Sequence, residues 1–177
     1  MSEPDDPRYP IGRWRPRPDA TPEDLQSWIE QIESLPAELA AAIEGFTPEQ
    51  LDSPYRPGSW TVRQLVHHVA DSHINAYVRF KLALTEDEPT IRPYDEGLWA
   101  KLPDTWSTPV ETSLELLRAL HRRWVDLLRA LPSESFERTL VHPDIGRLVL
   151  KGLLGMYAWH GRHHTAHVVA LRQRMGW

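Results

Sequence analysis

The chain contains no cysteine. That excludes disulfides and cysteine nucleophiles, and it means that any thiol chemistry must use a thiol from outside. A basic excess is also missing: the formal net charge is -5, which removes the electrostatic case for nucleic acid as a partner. No apolar run approaches the roughly 20 residues needed to span a bilayer. The opening MSEPDDPRYP is acidic and proline-rich, without the apolar segment of a signal peptide, so a cytoplasmic location is expected. The metalloprotease pattern HExxH is absent because Gly161 follows His160, and no GxSxG elbow, Walker loop or dinucleotide fingerprint occurs. What remains is an ordinary globular composition of 41% hydrophobic and 25% charged residues over 177 positions, enough for one domain with a core.

Residues 1–20 hold five of the 16 prolines and no helical period, so they read as an extended arm preceding a single domain over 21–177. Four long amphipathic helices follow. Thr21, Pro22 and Asp24 mark the start of the first, and Pro36 in its middle is expected to kink or split it. Residues 47–60 read as a loop with one short helical turn. Thr61 and Gln64 form a capping box for the second helix, which runs to about Leu84. After a long crossover over 85–107, Thr108, Pro109 and Glu111 signal the third helix, which Pro132 ends. A small hairpin is expected around Pro143-Asp144-Ile145-Gly146, and the last helix ends at Gly176. The reading is an all-α four-helix bundle. Its eight tryptophans, at helical spacing, read as core and interface filler.

The nine histidines are the unusual feature, and four of them fall at 160, 163, 164 and 167. At about 100° per residue, Leu153, Tyr157, His160, His164, Val168 and Leu171 share one stripe of the last helix. His167 lies beside that stripe and His163 further toward its flank. An i, i+4 histidine pair among apolar neighbours aims two imidazoles at one interior spot, where they suit zinc, nickel or iron. The alternative is a pair of buried histidines bonded to backbone or to each other. A third ligand has to come from another helix, and VHHVADSH in the second supplies candidates. His67 and His68 border its apolar stripe on opposite sides, at similar angles from the centre. His68 shares its side with Ser72, Asn75 and Arg79, while His73 faces the stripe itself. His121 and His142 stand alone and read as structural or surface residues.

Five stretches in order, YPIGRW, GSWTVRQLVHHVADSHINAYVRFKL, IRPYDE, HRRWVDLLR and WHGRHHTAHVVALRQRMGW, give the chain a resemblance to the DinB/YfiT-like superfamily, and within it to the YfiT branch. That branch is associated with metal-dependent hydrolases and bacillithiol transferases. The resemblance implies a four-helix bundle of unusual connectivity and one divalent metal ion, zinc or nickel, held by His68, His160 and His164. His68 is selected because the ligand precedes a Leu-Ala-Asp-like run, here Val69-Ala70-Asp71. His167 stands where many members carry Gln, so the resemblance implies a place behind the ligands or on the substrate side of the metal, and not a ligand role. A three-histidine site keeps coordination positions open. The first reading is transfer of bacillithiol to an electrophilic small molecule, with Asn75 and Arg79 as anchors for the thiol's carboxylates. The second is hydrolysis by metal-bound hydroxide, with Asp71 or His167 as base. The third is a non-catalytic, metal-stabilised binding module. A homodimer is expected, with contact surface from the tryptophans and the N-terminal arm.

Overall fold

The computed structural model describes residues 6–177. Four long helices dominate it: α1 (Pro22–Ala42), α3 (Val62–Thr85), α6 (Val110–Ala130) and α7 (Leu150–Met175). Short helices occupy the connections: α2 (Pro48–Leu51), α4 (Glu96–Trp99) and α5 (Pro103–Ser107), with a 3₁₀ turn at Ser133–Glu137. The expected hairpin is present as β1 (Thr139–His142) and β2 (Gly146–Val149), antiparallel, with Thr139 opposite Val149 and His142 opposite Gly146.

Three of these helices begin with a reciprocal capping box, in which a threonine side chain accepts from the N3 amide and the N3 side chain accepts from the cap. The pairs are Thr21 with Asp24, Thr47 with Gln50, and Thr61 with Gln64. Gln64 also donates its Nε2 to the Ala100 carbonyl at 2.9 Å, which ties the crossover to the head of α3. The start of α6 departs from the sequence reading. Thr108 closes α5, Pro109 occupies the cap position, and no side chain caps the helix. Gly176 ends α7 at φ 71°, the left-handed conformation that glycine adopts without a Cβ penalty. Pro36 does not split α1, which runs unbroken past it with the proline buried.

The long helices close into a ring in which α1 packs on α6 and α7, and α3 packs on the same two. Helices α1 and α3, consecutive along the chain, therefore sit diagonally, as do α6 and α7. Along the bundle axis the apolar core divides in two. One half gathers Ile32, Phe80, Trp124, Leu128, Leu140 and Leu154; the other gathers Leu35, Leu39, Leu65, Val69, Leu117 and Val168. Between them, the buried positions of three helices are histidines: His68 and His73 on α3, His121 on α6, and His163, His164 and His167 on α7. A polar layer thus crosses the middle of the bundle.

Two further segments shape that layer's surroundings. Strand β1 holds the crossover through Ile91 N to Val141 O and Val141 N to Pro89 O, both 2.9 Å. This pairing fixes the chain just ahead of Tyr94. The N-terminal arm lies along α7: Trp159 Nε1 donates to the Gly12 carbonyl at 3.2 Å, and Trp14 packs edge-on to Trp28.

Candidate metal centre

Because α3 and α7 are ring neighbours, one turn of each supplies the convergent histidines. His160 and His164 are a helical turn apart, and their Nε2 atoms lie 3.1 Å from each other. His68 Nε2 lies 3.3 Å from His160 Nε2. All three donor atoms fall within 4.8 Å of one another. At a metal–nitrogen distance of about 2.0–2.1 Å, the edge of a tetrahedron is about 3.3–3.4 Å, so the two edges that meet at His160 match ligands of one ion.

Burial also prepares these rings. His68 and His164 are buried and His160 is half-buried. Loss of hydration holds the His68 pKa down at about 4. Burial, reinforced by the neighbouring imidazoles, takes His160 and His164 well below the ordinary histidine range. At neutral pH all three are unprotonated, the form that ligates metal.

His67, the neighbour at a similar angle, turns the other way. Its Nδ1 lies 2.8 Å from Ser113 Oγ on α6, and its Nε2 is buried without a partner among the described residues. The Gly161 position faces α1. A Cβ there would stand 2.3 Å from Leu35 Cδ2, so the carboxylate of an HExxH motif has no room on this helix.

The cluster opens into a cleft of about 490 Å³. Its walls include Trp60, Ser72, Arg79, Tyr94, Tyr157 and Trp159, with Glu96, His142 and Asp144 toward the hairpin and crossover. Arg79 Nη1 donates to Tyr157 Oη at 2.9 Å, which holds the guanidinium at the wall. Burial pushes the Tyr94 phenol up to about 12, so it stays a hydrogen-bond donor at neutral pH. Of the residues singled out in the sequence, Arg79 reaches this cleft and Asn75 does not. Asn75 donates its side-chain amide to the Asp71 carbonyl. Asp71 also lies off the cleft, and burial, with the Asp104 charge second, raises its pKa to about 6. His167 packs against Tyr55 and His163, with ring centroids 4.6 Å from each, and is not part of the cleft wall.

Tyr94 and His142 were missed as wall residues because both sit on connections, where no periodicity signals a facing side. The one available signal for Tyr94 was its place in IRPYDE. Isolation in the sequence made His142 look structural, yet the hairpin carries it to the cleft.

A helical bundle with three imidazoles converging on one point beside an open cleft defines a protein built around a metal-ligand set. Residues 31–168 match the DinB superfamily. A protein of Bacillus cereus strain AH820, named "Putative metal-dependent hydrolase", is 55% identical over 170 residues, covering 96% of this chain and 98% of its own length. One from Bacillus anthracis strain A0248, with the same name, matches to the same extent. The chain superposes on YfiT from Bacillus subtilis, described as "a probable metal-dependent hydrolase with an unusual four-helix bundle topology", with a TM-score of 0.94 and 50% identity, over 97% of this chain and 98% of that one. TT2238, a four-helix bundle protein, shares the fold at 22% identity and a TM-score of 0.55, over 86% of this chain and 99% of that one. The chain belongs to the DinB superfamily and resembles its YfiT-like members over nearly its whole length.

Proposed function

We propose that this chain is a metal-dependent hydrolase whose single divalent ion is held by His68, His160 and His164. The observation that supports this is the convergence of three unprotonated imidazoles, at ligand spacing, on the floor of an open cleft. The names of the relatives agree with it. Held by these three residues, an ion would supply a water of lowered pKa, toward about 7, and a Lewis acid for a substrate carbonyl or phosphoryl oxygen. Imidazole donors suit zinc and nickel alike.

The chain's own residues supply binding and proton handling. Arg79, braced by Tyr157, pairs with an anionic group on the substrate. Tyr94 donates to a substrate oxygen. Trp60 and Trp159 cover apolar parts and limit water. The base is drawn from Glu96, His142 and Asp144, which line the cleft, in preference to Asp71 or His167, which do not.

Thiol transfer is the second reading, favoured by one observation: Arg79 lines the cleft and suits the carboxylates of a thiol such as bacillithiol. A single experiment separates the two. Metal-loaded protein and its His164→Ala variant are given activated esters, amides and alkyl halides, with and without bacillithiol or a cysteine-based thiol. Hydrolysis predicts ester or amide turnover without thiol. The variant should lose it by more than the roughly 10–100-fold typical of removing a ligand's supporting partner. Product that forms only with thiol establishes transfer instead, and equal rates for both proteins remove the metal centre from the reaction.

A further inference from the structure

Two histidines of the central layer, His73 and His121, lie outside the ligand cluster and are 0% and 1% exposed. Buried imidazoles cost stability unless their nitrogens are bonded, and here the bonds form a line. His121 Nδ1 meets the backbone oxygen of Ile32 on α1. His121 Nε2 lies 2.9 Å from His73 Nδ1, with the two rings 13° from parallel. His73 Nε2 in turn lies 3.4 Å from Nδ1 of His160. Each of the four long helices contributes one member: α1, α6, α3 and α7.

The polarity of this line is fixed at its far end. A carbonyl oxygen only accepts, so His121 carries its proton on Nδ1. A neutral imidazole has one N–H, which leaves His121 Nε2 as an acceptor. His73 must then donate from Nδ1 and accept at Nε2, and His160 must donate from Nδ1. The lone pair of His160 is thereby left on Nε2, the atom that faces His68 and His164.

Pro36 makes the starting carbonyl available. In an unbroken helix the Ile32 oxygen accepts from the amide of residue 36, and proline has no amide hydrogen. The proline thus leaves an acceptor open inside the bundle, and the His121 N–H takes it.

We propose that His121 and His73 are positioning residues, a relay anchored on the Ile32 carbonyl that locks His160 in the tautomer and orientation needed to present Nε2 to a metal ion. The metal end of this inference rests on the three-histidine reading above; the tautomer end stands without it. Among the described residues no comparable line supports His164, whose Nδ1 is buried without a partner there. His160 is the ligand that the fold holds from behind.

The first measurement needs no metal. Long-range proton–nitrogen NMR correlations on histidine-labelled apo protein should show Nδ1–H tautomers at His121, His73 and His160. An Nε2–H tautomer at His73 or His160 overturns the relay. The second is cobalt(II) titration of wild type, His121→Phe and His121→Gln, followed by the visible spectrum. Phe breaks the line and should weaken cobalt binding roughly 10–100-fold. Gln can donate to Ile32 and accept from His73, and should restore affinity to within a few-fold of wild type. Equal affinity for wild type and His121→Phe overturns the proposal, as does a Gln variant no better than Phe. If His121→Phe does not fold, the wild-type tautomers and the Gln variant still decide. Wild-type protein that shows the three tautomers yet takes up no cobalt refutes the metal reading and leaves the tautomer lock standing.

Discussion

His67 and His68 are adjacent, both buried, and differ in which helix they address: α6 through Ser113, or α7 through His160. Substitution should separate them sharply. His68→Ala is expected to bind well under one metal ion per chain by elemental analysis, and His67→Ala to keep close to one. The reverse result would shift the site by one residue of register. At this scale the shared direction of the His160/His164 pair follows from helical spacing, whereas the choice of His68 over His67 came from the family resemblance and not from the angles of the two rings. The relay was not legible. His73 and His121 lie on different helices, 48 residues apart, and nothing in local periodicity says that their rings meet. A lone histidine on an apolar face looks the same in sequence whether it carries a hydrogen-bond line or merely fills space.

At the scale of elements, capping boxes were readable where threonine and its partner stand three apart, whereas the uncapped start of α6 at Pro109 and the contacts between helices were not. Thr21 and Thr61 each perform the capping that their sequence context suggests, since the box is a local device, and the structure adds the same box at Thr47. Pro36 was readable as a disturbance, but its outcome depends on a partner from α6 that no local pattern contains. Gly161 is similar: only the structure shows that α1 approaches α7 closely enough for a Cβ to meet Leu35 at 2.3 Å. Gly161→Ala should therefore destabilise the fold. Overpacking costs about 1–3 kcal/mol, against a helix-propensity gain of about 1 kcal/mol. Gly152 on the same helix has nothing within 4 Å of such a Cβ, and Gly152→Ala should stabilise by about 0.5–1 kcal/mol. Denaturant melts of the two variants test the contrast, and a stabilised Gly161→Ala would refute the tight α1–α7 contact.

For the whole molecule, the histidine layer sets an acid limit. Burial lowers the folded-state pKa of His68, His121, His163 and His167 to about 4 and holds those of His73, His160 and His164 well below the ordinary histidine range. Unfolded, each titrates near 6.5. Between those values the unfolded chain binds more protons, so stability is complete above about pH 6.5 and is lost as pH falls toward 4. Thermal melts of chelator-treated protein should show Tm dropping steadily from pH 7 to pH 5. A Tm that does not change over that interval would mean the rings are more hydrated than their packing implies. The four-helix count was legible from amphipathic spacing, whereas the ring order was not, because each long helix carries an apolar face and no face names its partner.

That ring order has a consequence for synthesis. The chain leaves the ribosome from its N-terminal end. The partners of α1 are α6 and α7, so its buried residues Ile32, Leu35 and Leu39 wait for the C-terminal half of the chain. The packing of α1 depends on contacts between distant segments, which form slowly compared with those of helices joined as hairpins. A nascent chain stalled before Leu150 lacks one whole wall for α1 and both α7 members of the three-histidine cluster. The first long helix to be made is thus among the last to be fully enclosed, and its apolar face is the surface a chaperone would meet.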